Sequence, residues 1–472
     1  MPTIDTPRVL LAADRSSAGK TTICTGIMAA LRRTIAVQPF KVGLDYIDPS
    51  YHTLVCGRAS RNLDGYLMTE ASVLETFSHA LIGEKTDLAI VEGVRGLYEG
   101  FEGLSDIGST AQIAKILKCP VILIIDARSI TRSAAAVAMG YAAFDRDVDI
   151  RGVILNKIGG GRHAEKAITA IEQYTGLPVI GTIPRNEEMG LTMRHLGLVP
   201  VHEDRQSPEF RERISKITRI VSENIDLKRL VEIAETAEPL TVPEPTIFAR
   251  ASGVSGKSAR DPVRVGIALD EAFNFYYRDN IDLLELHGAE VVYFSPLHDA
   301  ALPPVDGIYI GGGYPELFAG ELEANESMRR SIRRASADGM PIYGECGGLM
   351  YLAERIATKS GMHGMSGETF EMVGAIPVTV EMGGKVVSYN IGSFTTDTPI
   401  GGAGDSFRGH EFHHSRVTEI PDDTVFAIRL TRGVGIRDGW DGIMVEKTLA
   451  GYAHLHACSY LRFAEAFVAA CL

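Results

Sequence analysis

The sequence has little of what marks several common protein classes. Its six cysteines (Cys24, Cys56, Cys119, Cys346, Cys458 and Cys471) lie far apart in 472 residues, with no CxxC pair. A disulfide scaffold, a zinc knuckle and a thioredoxin-like redox motif are therefore unsupported. No run of about 18 apolar residues occurs, so no membrane span is expected. The start, MPTIDTPRVLLAADRSS, lacks the basic opening and long apolar stretch of a signal peptide. Positive charge is also in deficit: 47 Lys and Arg stand against 60 Asp and Glu, a net charge of −13. That balance argues against a general nucleic-acid partner, though local cations and helix N-termini can still hold small anions. What is present is 45% hydrophobic and 23% charged residues. This is the composition of a folded, soluble protein of a reducing compartment, here expected to be the cytoplasm, with a length suited to two to four domains.

The first half alternates apolar runs with helical stretches. Residues 8–13 (RVLLAA), 87–91 (DLAIV), 121–126 (VILIID), 152–156 (GVILN) and 179–183 (VIGTI) read as buried strands, with helical composition at 21–33 and 131–143. Continuous apolar strands alternating with helices imply an α/β fold whose parallel sheet is covered on both faces. Near residue 236 the composition shifts to EPLTVPEP (238–245) and then ASGVSGKSAR (251–260), which reads as a linker. The strand rhythm restarts at 263–269, 291–294, 307–310 and 341–343. The expected organisation is an α/β domain over 1–236, a linker over 237–262 and a second α/β domain over 263–472.

The strand RVLLAA runs into DRSSAGKTT (14–22) and then a helix. In that context Ser16, Ser17, Ala18 and Gly19 form a phosphate-cradling loop leading to Lys20, Thr21 and Thr22. Lys20 would meet the β/γ-phosphates, and the Thr21 hydroxyl would bind Mg²⁺. Asp14 stands where the usual phosphate-loop pattern has its first glycine, and Ala13 where a longer variant has it, so the strand–loop–helix context carries this reading. Two acidic turns follow. KVGLDYIDP (41–49) carries Asp45 and Asp48, and EGVRGLYEG (92–100) carries Glu92 and Glu99. Ligands of open α/β sheets bind at the carboxyl ends of strands. Glu92 is therefore expected to hold the Mg²⁺, Asp45 to share it or orient a substrate, and Asp48 and Glu99 to lie on the substrate side. Asn156, at another strand end, would contact the nucleotide base.

In the second half, PIYGECGGLM (341–350) has the composition of a strand, a sharp turn and a helix. Glycines around such a turn let it present Cys346 as a nucleophile, and a helix N-terminus favours a thiolate. The backbone amides of Gly312, Gly313 and Gly347 suit an oxyanion hole. The segment GYAHLH (451–456) offers His454 or His456 as the base. HEFHH (410–414) lacks the H-E-x-x-H spacing of a zinc site and reads as a hydrogen-bonded loop.

Taken in order, GKTT, KVGLDYIDPSYH, EGVRGLYEG, GGGYPE, GECGGLMYL and GHEFHHS resemble the cobyrinate a,c-diamide synthase family, within the cobyric-acid-synthase-like glutamine amidotransferases. The resemblance implies a dethiobiotin-synthetase-like ATPase domain joined to a class I glutaminase domain. It also implies that Cys346 is the nucleophile, that His454 rather than His456 is the base, and that no third triad acid stands at the usual H-x-E position. The implied partners are ATP, L-glutamine and a tetrapyrrole polycarboxylate whose a and c acetates are amidated through an acyl phosphate. The DRSS variant is similar to versions in methanogenic archaea, for which the resemblance implies nickel sirohydrochlorin as well as cobyrinate. Two other readings remain: a cobyric acid synthase amidating other side chains, and a ParA-like nucleotide switch with an inactive glutaminase-like domain.

Overall fold

The computed structural model describes residues 2–83, 85–186, 189, 208–249, 262–361 and 367–472. The chain divides into two compact units, 1–246 and 247–472.

In the first unit the apolar runs become β1 (Arg8–Ala13), β2 (Val37–Val42), β3 (Arg61–Leu63), β4 (Leu88–Glu92), β5 (Val121–Asp126), β6 (Ile150–Ile158) and β7 (Val179–Pro184). They form one parallel sheet in the order β3-β2-β4-β1-β5-β6-β7. Every residue of β1, β2, β4 and β5 is buried, as expected of strands covered on both faces. Helices α1 (Lys20–Leu31), α2 (Ile47–Cys56) and α3 (Pro208–Asn224) supply part of that cover. Ile23, Ile27 and Met28 of α1 pack with Ile122 and Ile124 of β5 and with Ile217 and Val221 of α3. The central strand β1 therefore delivers residues 14–19 to the carboxyl edge of the sheet, between the ends of β4 and β5.

The proline-rich stretch expected to open the linker is folded onto this unit as far as 246. Thr3–Ile4 pairs antiparallel with Leu240–Thr241. The Thr246 N–H and hydroxyl donate to the Glu75 carboxylate at 2.8 and 3.0 Å. Prolines mark this segment without freeing it, because its backbone is tied at both ends. Residues 250–261, most of the rest of the expected linker, lie outside the described residues.

The second unit holds β8 (Val263–Ala268), β9 (Phe273–Phe275), β10 (Ala289–Phe294), β11 (Gly307–Ile310), β12 (Gly312–Gly313), β13 (Ile342–Glu345), β14 (Ala353–Ala357), β15 (Thr369–Glu371), β16 (Ile376–Phe394), β17 (Ser406–Thr418), β18 (Val425–Arg432), β19 (Trp440–Val445), β20 (Thr448–Gly451) and β21 (His454–Leu455). Its main sheet runs β10-β8-β11-β13-β20-β19-β18-β16-β14-β15, with β17 joining β16 to β21. The segment from β10 to β20 is parallel. The remainder is mixed and is dominated by the antiparallel pair β16–β17. The HEFHH segment is thus part of strand β17 rather than a loop, with His410 and Glu411 buried.

Candidate functional site

The first unit builds its site at the end of β1. Gly19 has φ +93°, and a Cβ there would stand 2.3 Å from Asn156 Nδ2, so the turn requires glycine on both counts. Asn156 Nδ2 donates to the Ala18 carbonyl at 2.6 Å, and its Oδ1 accepts from the Lys157 N–H. Lys157 Nζ donates to the Ser17 carbonyl at 2.8 Å and pairs with Asp126 at 2.9 Å. Asn156 therefore braces the loop with the amide expected to meet a base. Ser16 and Ser17 are exposed, Ala18 and Thr22 are buried, and Lys20 and Thr21 open α1.

Beneath the loop lies a buried charge cluster. Lys20 Nζ is 2.7 Å from Glu92 Oε1, and Thr21 Oγ1 is 2.8 Å from the same oxygen and 3.1 Å from Asp48 Oδ2. Lys41 Nζ reaches Asp48 Oδ2 at 2.6 Å, Glu92 Oε1 at 3.0 Å and the Gly93 carbonyl at 3.1 Å. His52 Nε2 lies 2.7 Å from Glu92 Oε2. Burial alone would raise the Glu92 pKa, but Lys20, Lys41 and His52 hold it well below the carboxylate range. Burial opposes the Lys41 ammonium, yet Asp48, Glu92 and Asp45 raise its pKa well above the ordinary value.

Two acidic residues sit differently from expectation. Asp45 Oδ1 accepts the N–H groups of Ile47 and Asp48 at 2.8 and 3.1 Å, so it caps the start of α2. Burial and the neighbouring Asp48 charge push its carboxyl up to about 6. Asp48, one turn on, is the carboxylate that meets Thr21. Thr21, Asp48 and Glu92 therefore converge, where Thr21, Asp45 and Glu92 were expected. Glu99 is exposed on its turn, with Cγ near Gly96 and outside this cluster. Lys41 and His52 were passed over, although both stand in KVGLDYIDPSYH. The available signal was a lysine inside VQPFKV, a strand buried at every position.

In the second unit Cys346 joins β13 to helix α4 (Gly347–Leu352) at φ +49° and ψ −91°. This is strained backbone for a side-chain-bearing residue, of the kind concentrated at functional sites. Its Sγ is 3.7 Å from the Phe412 carbonyl. His454 is buried and hydrogen-bonded to Cys346. Burial favours the neutral ring, but Cys346 and Glu345 overcome this and hold the His454 pKa at about 10. The expected glycines meet here as well. A Cβ on Gly312 would lie 2.8 Å from His454 Cε1, and one on Gly347 would lie 3.0 Å from the Gly313 nitrogen. Glycine at these positions lets the Gly312–Gly313 backbone approach the His454 ring and the start of α4.

His456 faces elsewhere. Its Nδ1 accepts the Cys458 N–H at 3.2 Å, and Nε2 is 3.5 Å from Asp279 Oδ2. Donor atoms of Asp279, His456 and Cys458 lie within 4.8 Å of one another. With Nδ1 accepting, however, Nε2 of the neutral ring carries its proton rather than a free lone pair, which opposes a metal there. His413 stacks on Tyr452 with centroids 3.7 Å apart, and burial pulls its pKa down to about 4.

A phosphate loop backed by carboxylates and a cysteine–histidine pair beside glycine amides, each on its own α/β unit, define the class: a ligase that hydrolyses glutamine and uses ATP. Residues 9–198 match the CobQ/CobB/MinD/ParA nucleotide binding domain, and residues 264–460 match the CobB/CobQ-like glutamine amidotransferase domain. The chain is 61% identical to the cobyrinate a,c-diamide synthase of Methanosarcina acetivorans, covering 98% of this chain and 95% of that one. It is 49% identical to that of Methanothermobacter thermautotrophicus, covering 98% of each. The chain belongs to the cobyrinate a,c-diamide synthase family.

Proposed function

We propose that this chain amidates the a and c acetate carboxylates of cobyrinate, using ATP to activate each carboxylate and glutamine to supply nitrogen. The observation that carries the reading is the pairing of Cys346 with His454 in one unit while the other sets Lys20, Thr21, Asp48 and Glu92 around a phosphate loop.

The Cys346 thiolate attacks the glutamine carboxamide carbon. Backbone amides at Gly312, Gly313 and Gly347 face the oxyanion, and His454 gives a proton to the departing ammonia. Water then cleaves the thioester and releases glutamate. In the other unit a substrate carboxylate attacks the γ-phosphorus of ATP, expelling ADP and leaving an acyl phosphate. Ammonia then displaces phosphate. Activation is needed because a free carboxylate would otherwise have to expel oxide. Lys20 and the loop amides hold the phosphates.

Thr21, Asp48 and Glu92 are hard oxygen donors, and Asp48 Oδ1 is buried with no hydrogen-bond partner, so the set fits Mg²⁺. When bound there, the ion would neutralise charge developing on the transferred phosphoryl group. A cytoplasmic location fits the use of ATP. No helix among the described residues is long and apolar enough to cross a membrane.

The test is Cys346→Ala assayed with either nitrogen source. Glutamine-dependent amidation is expected to vanish while ammonia-dependent amidation persists. Loss of both in a folded variant would sink the two-site scheme. Offering cobyrinate and nickel sirohydrochlorin as parallel substrates separates the two rings, which no motif in the chain distinguishes.

A further inference from the structure

The second unit buries a carboxylate beside its catalytic histidine that the two-residue account leaves unused. Glu345 immediately precedes Cys346 at the end of β13 and is 1% exposed. A buried glutamate needs donors and a counter-charge. Its Oε1 accepts the Tyr343 hydroxyl at 2.8 Å and the Leu455 N–H at 3.1 Å, and its Oε2 accepts the Tyr309 hydroxyl at 3.0 Å. The only cation within 4 Å of it among the described residues is His454, whose Nδ1 stands 3.5 Å from Oε2. Three fixed donors thus aim one oxygen at the histidine nitrogen turned away from chemistry.

The neighbouring acids are committed elsewhere. Asp441 accepts the N–H groups of Tyr452 and Ala453 at 3.0 and 2.9 Å. Glu411 accepts those of Val434 and Gly435 at 3.0 and 3.1 Å. Asp279 lies against His456.

We infer that Glu345 is a positioning residue that holds His454 by its Nδ1–H and stabilises its imidazolium form, so that Nε2 faces the Cys346 sulphur. The carboxylate that many cysteine–histidine sites draw from elsewhere in the chain is here supplied by the residue next to the nucleophile. One turn therefore sets both the sulphur and the orientation of its partner. A separation of 3.5 Å is an ion-pair distance, and such contacts are often longer without substrate than in the reacting complex. The inference rests on the proposed glutaminase reading.

The experiment compares wild type, Glu345→Gln and Glu345→Asp in three assays: glutamine hydrolysis, ammonia-dependent amidation, and the pH dependence of Cys346 alkylation by iodoacetamide. The groups facing His454 whose titration enters the profile are Cys346, Glu345, His410, His413 and Asp441. Glu345→Gln is expected to lower kcat for glutamine hydrolysis by about 10²-fold or more, with little change in KM. It should move the alkylation midpoint to higher pH and leave ammonia-dependent amidation intact. Glu345→Asp should recover part of the lost kcat. Retained hydrolysis with an unmoved alkylation profile would overturn the inference. So would a parallel loss of both activities with a lowered Tm, which would mark Glu345 as structural. Absence of glutamine hydrolysis in the wild type would instead defeat the glutaminase reading itself.

Discussion

Replacing Lys41 by methionine tests the buried charge cluster of the first unit. The Lys41 side chain is 2% exposed and lies 2.6 Å from Asp48 and 3.0 Å from Glu92. Methionine keeps most of the apolar stem and deletes the charge. Glu92 retains Lys20 at 2.7 Å and His52 at 2.7 Å, so the abandoned charge is that of Asp48, left with Thr21 at 3.1 Å. Breaking a buried pair from one side costs about 3–5 kcal/mol, and the surviving contacts set this case near 3. For a unit of this size that is a fall in Tm of about 6–12 °C.

The pH dependence has a definite sign. The depressed Glu92 pKa gives stability that is present above the ordinary carboxylate range and lost only as pH falls through the lowered value. The raised Lys41 pKa gives stability that is present below its ordinary value and lost only as pH rises through the raised one. The wild-type cluster therefore contributes across neutral pH. In the variant the Lys41 contribution is gone, so the deficit should be present across neutral pH and narrow only as pH falls toward the lowered Glu92 value or rises through the raised Lys41 value. Thermal unfolding of both proteins at several pH values measures it. A deficit below about 1 kcal/mol, or one absent at neutral pH, would refute the reasoning.

Two further outcomes are expected. Gly19→Ala places a Cβ 2.3 Å from Asn156 Nδ2 at φ +93°, which costs about 1–2 kcal/mol in backbone strain alone. It should abolish ATP-dependent amidation while glutamine hydrolysis persists, as paired assays would record. The His454 imidazolium, held to about 10, gives stability that is full below the ordinary histidine value and lost as pH rises through about 10. Glutamine hydrolysis should accordingly keep its acid catalyst through neutral pH and decline near the same value. A pH–rate profile with that limb near the ordinary 6.5 would contradict this.

Some of this architecture was legible because burial leaves a plain mark. RVLLAA and VILIID coincide with β1 and β5, since a parallel strand covered on both faces reads as a near-continuous apolar run. By contrast VQPFKV, equally buried, carries Gln38, Pro39 and Lys41. Its polar groups are nevertheless satisfied, Gln38 by the Pro39 and Ala59 carbonyls and Lys41 by Asp48 and Glu92, so the run does not announce a strand. The long pair β16–β17 leaves no plain mark because β16 is only partly buried, and the inward positions of β17 alternate in burial but carry Gly409, Glu411, His413 and Ser415 rather than apolar side chains. At the second unit's site, Cys346 lies beside His454, Gly312 approaches the His454 ring, and Gly347 approaches Gly313. Asp45 and Asp48 could not be ranked from spacing, because the start of α2 decides which one caps the helix and which faces Thr21, and helix starts are uncertain by a residue or two. Glu345 stands within GECGG, but the role inferred for it depends on tyrosines 309 and 343, which only the folded sheet brings to it.

The central claim is that glutamine nitrogen reaches two carboxylates of one macrocycle at the expense of ATP. Mass spectrometry of cobyrinate incubated with the protein, ATP, Mg²⁺ and glutamine labelled at its amide nitrogen tests it most directly. The account predicts a product with two labelled carboxamides, and ADP and phosphate formed in step with them. Glutamate and ADP released while cobyrinate remains unchanged would contradict it.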